Sequence, residues 1–256
     1  MTSINLGHPR AESLRVRELL TRGFEEGLVV PEGLAAHGRG EAFDYILGER
    51  TTDEARKAVE VGVAILLAAD KPVLSVNGNA AALVPVELVK LANVTSAKLE
   101  VNLFHGSVRR EKAIASWLGE YGAGEVLGVG DDNAVKLDEI RSDRRKVDKR
   151  GIAEADAVLV PLEDGDRTEG LKKAGKMVVT IDLNPMSRTA RAADVTIVDN
   201  ITRALPLMVE TAEKLKEESK KDLENIAKGF DNEKNLESVL GLMLDRLEEF
   251  AKRGAG

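Results

Sequence analysis

Four short stretches carry side chains whose types and spacing could do chemistry. In "AAHGRGEAFDY", His37, Arg39, Glu41 and Asp44 fall within eight residues and are interleaved with Gly38 and Gly40. Several ionisable types in a segment where glycine permits close backbone approach describe an active-site loop, so the segment is read as a loop carrying Arg39 and His37 as candidate catalytic groups. A histidine with a purely structural role is the alternative. In "TIDLNPMSR", Asp182 follows an apolar run, where a carboxylate at a strand's end can accept from ribose hydroxyls, and Ser187-Arg188 can hold phosphate. A turn with an N-capping serine is the competing reading. "VTIVDN" supplies Asp199 and Asn200, a donor and acceptor pair of the kind that reads the edge of a base. The fourth stretch is "VLSVNGNAAALVP". Asn-Gly between apolar residues ordinarily marks a hairpin, but here alanines follow, then Pro85 and the helical "VELVKLA". The expected geometry is strand, tight turn, helix, and its backbone N–H groups would make a cavity suited to an anion.

Those residues need a scaffold that brings strand ends together. Apolar runs "PVLSV", "KLEVNLF", "EVLGVG", "DAVLVP", "MVVTIDL" and "VTIV" alternate with helical or loop stretches such as "SVRREKAIASWLGEYG". That alternation predicts an α/β fold with a Rossmann-like, mostly parallel sheet and helices on both faces. Residues just after such strands face the ligand crevice, and here they are polar: Ser75, Asn77, Asn79, Asn102, His105, Asp131, Asp132, Asp182 and Asp199. "GVGDD" matches a dinucleotide fingerprint poorly, because the third glycine is missing and two carboxylates would repel a pyrophosphate.

An amphipathic helix is expected over Glu12–Glu26, with Leu14, Leu19, Leu20 and Phe24 on one face, and another from about Asp53 to Ala69. Beyond Ile201 the chain reads as helical to its end. Glu213–Glu224 reads as a solvated face, whereas Val239, Leu240, Met243, Leu244, Leu247 and Phe250 could close the core or bury against a second subunit. The chain is therefore read as one domain over 1–256: a helical segment with the active-site loop to 50, a sheet core over 51–200, and C-terminal helices after 201.

Composition narrows the chemistry. The 256 residues contain no cysteine, which excludes disulfides, Cys-ligated metals and thiol nucleophiles. A net charge of −7 argues against nucleic acid and anionic membranes, so an anionic ligand needs a local cluster of arginines. Residues 1–13 lack a basic-then-apolar signal, and a cytoplasmic location is expected. Charged residues at 32%, rich in Glu, Lys and Arg, fit a thermophilic origin. No resident metal site stands out.

The stretches "HPRAESLRVRE", "GLAAHGRGEAFDYILGE", "PVLSVNGNAAALVP", "LEVNLF" and "IDLNPMSRTARAADVTIVDNITRA" together resemble the archaeal phosphopantothenate synthetases over about the first 210 residues. The resemblance implies a step of coenzyme A biosynthesis in which ATP drives amide formation between 4-phosphopantoate and β-alanine, releasing AMP and diphosphate. It implies a homodimer with a Rossmann-like sheet. It also implies ATP contacts at Arg17, Arg39, Ile181, Asp182, Leu183, Ser187, Arg188, Asp199 and Asn200.

A carboxylate is a poor acyl donor, so the expected route is attack on the α-phosphorus of ATP, giving an acyl adenylate that the amine opens. Neither step needs an enzyme nucleophile, and catalysis rests on positioning and on neutralising developing charge. Arg17, Arg39 and Arg188 would supply positive charge, with magnesium on the phosphates. Ser75, Asn77, Gly78 and Asn79 are read as the cradle for the phosphate or carboxylate of 4-phosphopantoate, with Asn102 as a further substrate-binding candidate. A dinucleotide-dependent oxidoreductase and a non-catalytic nucleotide sensor remain as alternatives.

Overall fold

The computed structural model describes residues 10–104 and 106–253; His105 and the His8-Pro9 that begin one of the stretches above lie outside that range. Six parallel strands form the central sheet: β1 (Pro72–Val76), β2 (Lys98–Val101), β3 (Val126–Leu127), β6 (Ala157–Pro161), β7 (Met177–Ile181) and β8 (Val195–Ile197). Their order is β3-β2-β1-β6-β7-β8, with register running Leu74↔Leu99 on one side of β1 and Leu74↔Leu159 on the other. Every apolar run read as a strand is one. The chain winds outward from β1 to β3, crosses back, and winds outward the other way from β6, which makes the β1/β6 boundary the topological switch point.

Alternation along the strands separates two cores. Leu74, Val76, Leu99, Leu159, Val179 and Ile197 face the helical side, where α3 (Asp53–Ala68), α5 (Pro85–Thr95) and α9 (Ile201–Leu215) pack. Helix α3 starts where Thr52 accepts a hydrogen bond from the Ala55 N–H at 3.1 Å, the capping that "TTDE" predicts. Val73, Val158, Val160 and Val178 face the other side, against Leu171 of α7 (Gly165–Lys173) and Ile140, Val147 and Ile152. Two short antiparallel strands on this side, β4 (Ala134–Lys136) and β5 (Lys146–Asp148), have no counterpart in the sequence expectations. Three of their six residues are charged and only Val147 and Asp148 are buried, so neither periodicity nor an apolar run marks them.

A third apolar cluster joins Leu47, Leu183, Val198, Leu236, Val239 and Met243. It docks α11 (Asn232–Arg253) against α2 (Pro31–Leu47), with α1 (Ala11–Glu25) and α10 (Lys220–Ala227) completing the helical flanks. Leu244, Leu247 and Phe250 of α11 remain exposed, at 61%, 47% and 54%.

Under β2 lies an ionisable group with no exposed surface. Glu100 accepts from the backbone N–H of Asp148 at 3.0 Å and of Ile152 at 2.6 Å, pinning the chain after β5 to the sheet. Gly151 is required there, because a Cβ would stand 2.0 Å from Glu100 Oε2. Burial pushes the Glu100 carboxyl from its ordinary 4.5 up to about 7. A folded value above the unfolded one gives stability that is complete below pH 4.5 and is lost as pH rises through 7. The difference corresponds to on the order of 3 kcal/mol. Urea denaturation at pH 5 and pH 8 should show this loss in the wild type and its absence in Glu100→Gln; equal pH dependence in both would refute the assignment.

Candidate active site

The strand ends at the switch point are fastened by one side chain. Asn77, directly after β1, caps the six-residue helix α4 (Gly78–Leu83) by accepting from the Ala80 N–H at 3.0 Å. Its Nδ2 donates to the carbonyls of Pro161 and Leu162 at the end of β6, at 2.8 and 3.2 Å. Leu162 sits in the left-handed region at φ +53°, a conformation costly for leucine that this bond helps to hold. Strand, turn and helix thus follow each other at "SVNGNAA" as expected, and no hairpin forms. Gly78 allows the closest approach: a Cβ there would stand 2.0 Å from the Leu28 carbonyl oxygen.

A cavity of about 620 Å³ opens over these strand ends. Its walls bring together His37, Arg39, Asn77, Gly78, Asn79, Asp182, Leu183, Ser187 and Asn200, residues up to 163 positions apart (200 − 37). The segment read as an active-site loop is instead the helix α2, opened by Pro31 in its first turn and closed by Gly48 at φ +100°. Each internal glycine costs a helix roughly 1 kcal/mol, which is why the sequence reads as a loop. Packing offsets that cost. Gly33 lets α2 reach α4, since its Cβ would meet Asn79 Oδ1 at 2.4 Å, and Asn79 Nδ2 donates to the Gly33 carbonyl at 2.8 Å. Gly33, Ala36, His37, Gly40 and Phe43 recur at three- and four-residue steps, so one face of a helix lines the cavity.

Arg39 makes no hydrogen bond or ion pair with the described residues, and its charge helps to hold down the carboxyl of Asp182. Burial nevertheless dominates at Asp182 and raises its pKa. Its oxygens accept from the Ser187 hydroxyl and, at 2.9 Å, from the Asn184 N–H. Ser187 in turn caps α8 (Arg188–Ala192), accepting from Ala190 at 2.9 Å. His37 has its pKa lowered, chiefly by burial, so the imidazole is neutral at neutral pH.

Other residues singled out from the sequence stand outside the walls. Ser75 is buried and accepts from Arg167 Nη1 at 2.9 Å. Asn102 is buried too, and donates to the Arg144 and Lys146 carbonyls at 3.2 and 2.9 Å, beside a second cavity of about 380 Å³. Arg17 pairs with Glu41 at 3.2 Å, and Arg188 with Glu169 at 2.9 Å, both arginine side chains being well exposed. Ile181 and Asp199 have no exposed surface. Asp199 accepts from Thr51 at 2.6 Å and from Arg203, and beside it Asn200, which does belong to the wall, caps α9 while donating to Asp44 at 3.0 Å. "GVGDD" is bound elsewhere: the Gly130 N–H donates to Glu111 at 2.9 Å, and Asp131 pairs with Lys146 at 2.7 Å.

Sequence reasoning passed over Arg110, Arg144, Glu163 and Asp164, all in the cavity wall. Arg144 pairs with Glu163 and, at 3.0 Å, with Asp164, while Glu163 also pairs with the fully buried Arg167 at 2.5 Å. One signal existed. Arg109 and Arg110 occupy the first turn of α6 (Val108–Glu120), where a helix's positive end disfavours cations.

The family model for phosphopantothenate/pantothenate synthetase matches residues 54–246. The "4-phosphopantoate--beta-alanine ligase" of Thermococcus kodakarensis is 50% identical over 99% of this chain and 97% of that protein. Proteins with the same name from Thermococcus onnurineus and Methanosarcina mazei are 51% and 47% identical, over 99% and 98% of this chain and 97% and 98% of their own lengths.

Proposed function

The chain belongs to the phosphopantothenate/pantothenate synthetase family, and on that premise we propose that it joins 4-phosphopantoate to β-alanine, driven by ATP, in coenzyme A biosynthesis. The observation that carries the reading is one cavity at the switch point of a parallel sheet, walled by an uncommitted arginine, a neutral histidine and a strand-end aspartate with its serine. In this reading the 4-phosphopantoate carboxylate attacks the α-phosphorus of ATP and diphosphate leaves. The amine of β-alanine then attacks the acyl carbon, AMP leaves, and 4′-phosphopantothenate forms.

Asp182, Leu183 and Ser187 are the proposed ribose and phosphate contacts; Asn200 completes that wall, the buried Ile181 and Asp199 support it, and Arg17 and Arg188 are the proposed further cations for the phosphates. Arg39 neutralises charge on the phosphoryl group in transfer. His37 takes a proton from the β-alanine ammonium, which a neutral imidazole can do. Gly78 and Asn79 present backbone N–H groups to an anionic group of 4-phosphopantoate, its phosphate or its carboxylate. Asn77 shapes that turn, and Ser75 and Asn102 act from beneath by holding Arg167 and the Arg144 segment.

Magnesium enters as the counter-ion of ATP, held by phosphate oxygens and water. Among the described residues no group of three or more His, Asp or Glu side chains converges to hold a metal, so no step is assigned to a resident one. The exposed Leu244, Leu247 and Phe250 on α11 support a homodimer, which light scattering would report as roughly twice the chain mass.

Incubation with ATP and 4-phosphopantoate, with and without β-alanine, tests the function. AMP should accumulate in proportion to amide formed and only slowly without the amine. ADP as product, or no nucleotide turnover, would overturn it.

A further inference from the structure

A ring of four side chains runs from the cavity wall into the interior. Arg144 faces Asp164 through Nε at 3.0 Å and Glu163 through Nη1; Glu163 Oε2 pairs with Arg167 Nη1 at 2.5 Å; and the Arg167 N–H closes the ring on Asp164 Oδ1 at 3.0 Å. Arg144, Glu163 and Asp164 belong to the cavity wall, whereas Arg167 does not and has no exposed surface. We propose that Arg167, which touches no substrate, is a positioning residue for the reaction: it fixes Glu163, and through it the direction in which Arg144 presents its charge to the acid substrate. The inference rests on the ligase reading above.

Stability alone does not recommend an arginine at this position. Arg167 lies in the first turn of α7, where the helix's positive end disfavours a cation, and its Nε and Nη2 are buried with no hydrogen-bond partner among the described residues. Burial lowers its pKa; the charges of Glu163 and Glu100 oppose that fall, and the charge of Arg144 adds to it. An uncharged pair at 163 and 167 would meet none of these costs. What the guanidinium supplies instead is direction. Its Nη1 donates both to Ser75 Oγ at 2.9 Å, at the end of β1, and to Glu163, so the carboxylate takes its place from a strand of the central sheet.

The ring holds two arginines against two carboxylates, so its effect on the cavity is geometric. Arg144 is fixed at Nε and at Nη1, with its Cζ 5.9 Å from the centroid of the Phe104 ring. A planar donor held at a set angle meets an anion with little further loss of side-chain freedom. The loop backbone does not depend on Arg167: the Glu163 carbonyl accepts from Thr189 Oγ1 at 2.9 Å, and the Leu162 carbonyl from Asn77 Nδ2 at 3.2 Å. Without Arg167, Glu163 would keep the Asp164 N–H on Oε1, at 2.9 Å, and lose its partner on Oε2. The carboxylate is released, and Arg144 with it, while the strand ends stay in place.

Titration calorimetry with 4-phosphopantoate and with ATP, each alone, reads this without turnover. Arg144→Met should weaken 4-phosphopantoate binding roughly 20-fold and Arg167→Met roughly tenfold, with ATP changing less than about twofold in either. Because Arg167 acts through Arg144, adding Arg167→Met to Arg144→Met should cost no more than about a further twofold. Arg167→Met/Glu163→Gln strands no carboxylate; it should regain the thermal stability that Arg167→Met loses but not the affinity, whereas a purely structural role would return both. Arg167→Lys keeps the buried charge but lacks the fork that spans Ser75 and Glu163, so it should show about a threefold loss, and it decides the matter if the Met variants do not fold. Unchanged 4-phosphopantoate affinity in the folded variants, equal weakening of ATP, a full further loss on top of Arg144→Met, or affinity returning with stability would overturn the proposal. Failure of the ligase reading would show separately, as absence of AMP release by the wild type.

Discussion

Arg39→Ala should lower kcat/KM by on the order of a thousandfold, about 4 kcal/mol of transition-state stabilisation, with the fold unchanged. Both substrates are polyanions, the protein carries a net charge of −7, and the reaction gathers negative charge at a phosphoryl group. Arg39 is the cavity cation without an ion-pair partner among the described residues, so its charge is not already spent on a carboxylate of the protein. Because it is exposed and makes no hydrogen bond there, truncation should leave thermal unfolding within about a degree of the wild type. Arg39→Lys should recover part of the rate, since charge survives but the planar fork does not. Wild-type turnover by a folded Arg39→Ala would remove the residue from the mechanism.

Arg203→Met should act in the opposite manner, on stability first. Arg203 sits between two carboxylates: it meets Asp44 of α2 through both Nη atoms, at 3.1 and 2.6 Å, and Asp199 through Nε and Nη2, at 2.8 and 2.6 Å. Both carboxylates are buried, and burial raises the Asp199 pKa even with Arg203 present. Removing the cation leaves two uncompensated charges, a loss of about 3–5 kcal/mol and on the order of 10 °C in melting temperature. The deficit should narrow as pH falls toward 5. Without Arg203 the folded-state pKa of Asp199 rises further, and stability tied to a raised pKa returns on protonation. Adding Asp44→Asn should restore part of the loss, because one of the stranded charges is gone. Denaturant unfolding at pH 5 and pH 8 measures all of this; a deficit below about 1 kcal/mol at pH 8 would show that the bridge contributes little. The same contact tethers α2, so the surviving folded fraction should also bind ATP less tightly.

What the sequence determined by itself is what depends on neighbours along the chain. The six strands are runs of Val, Ile and Leu bounded by polar residues; Thr52, Ser187 and Asn200 cap the helices that follow them; and the turn at Asn77-Gly78 is set by the alanines and Pro85 after it. Each is a decision made within one or two turns of backbone, where propensity and capping outweigh everything else. The polar residues at the ends of β1 and β7 were legible for the same reason, since a parallel sheet delivers its strand ends to one side.

Only the tertiary structure decided the rest. Helix α2 forms against its own glycines because Gly33 and Asn79 interlock and because Phe43, Ile46 and Leu47 find an apolar seat near α11. The β4–β5 hairpin, short and charged, persists because Asn102 and Glu100 hold its backbone from beneath the sheet. Arg144 and Arg203 are two arginines among many in a chain that is 32% charged, and no spacing distinguishes them; Arg110 is marked only by its place in the first turn of a helix. The meeting of Arg110 and Arg144 with residues near 37, 78 and 182 follows from the strand order β3-β2-β1-β6-β7-β8, which folds distant segments onto one edge. Convergence of that kind is long-range, and local preferences carry no record of it: the free energy that selects it comes from burying apolar faces on both sides of the sheet, and the polar side chains are carried to the cavity by that burial.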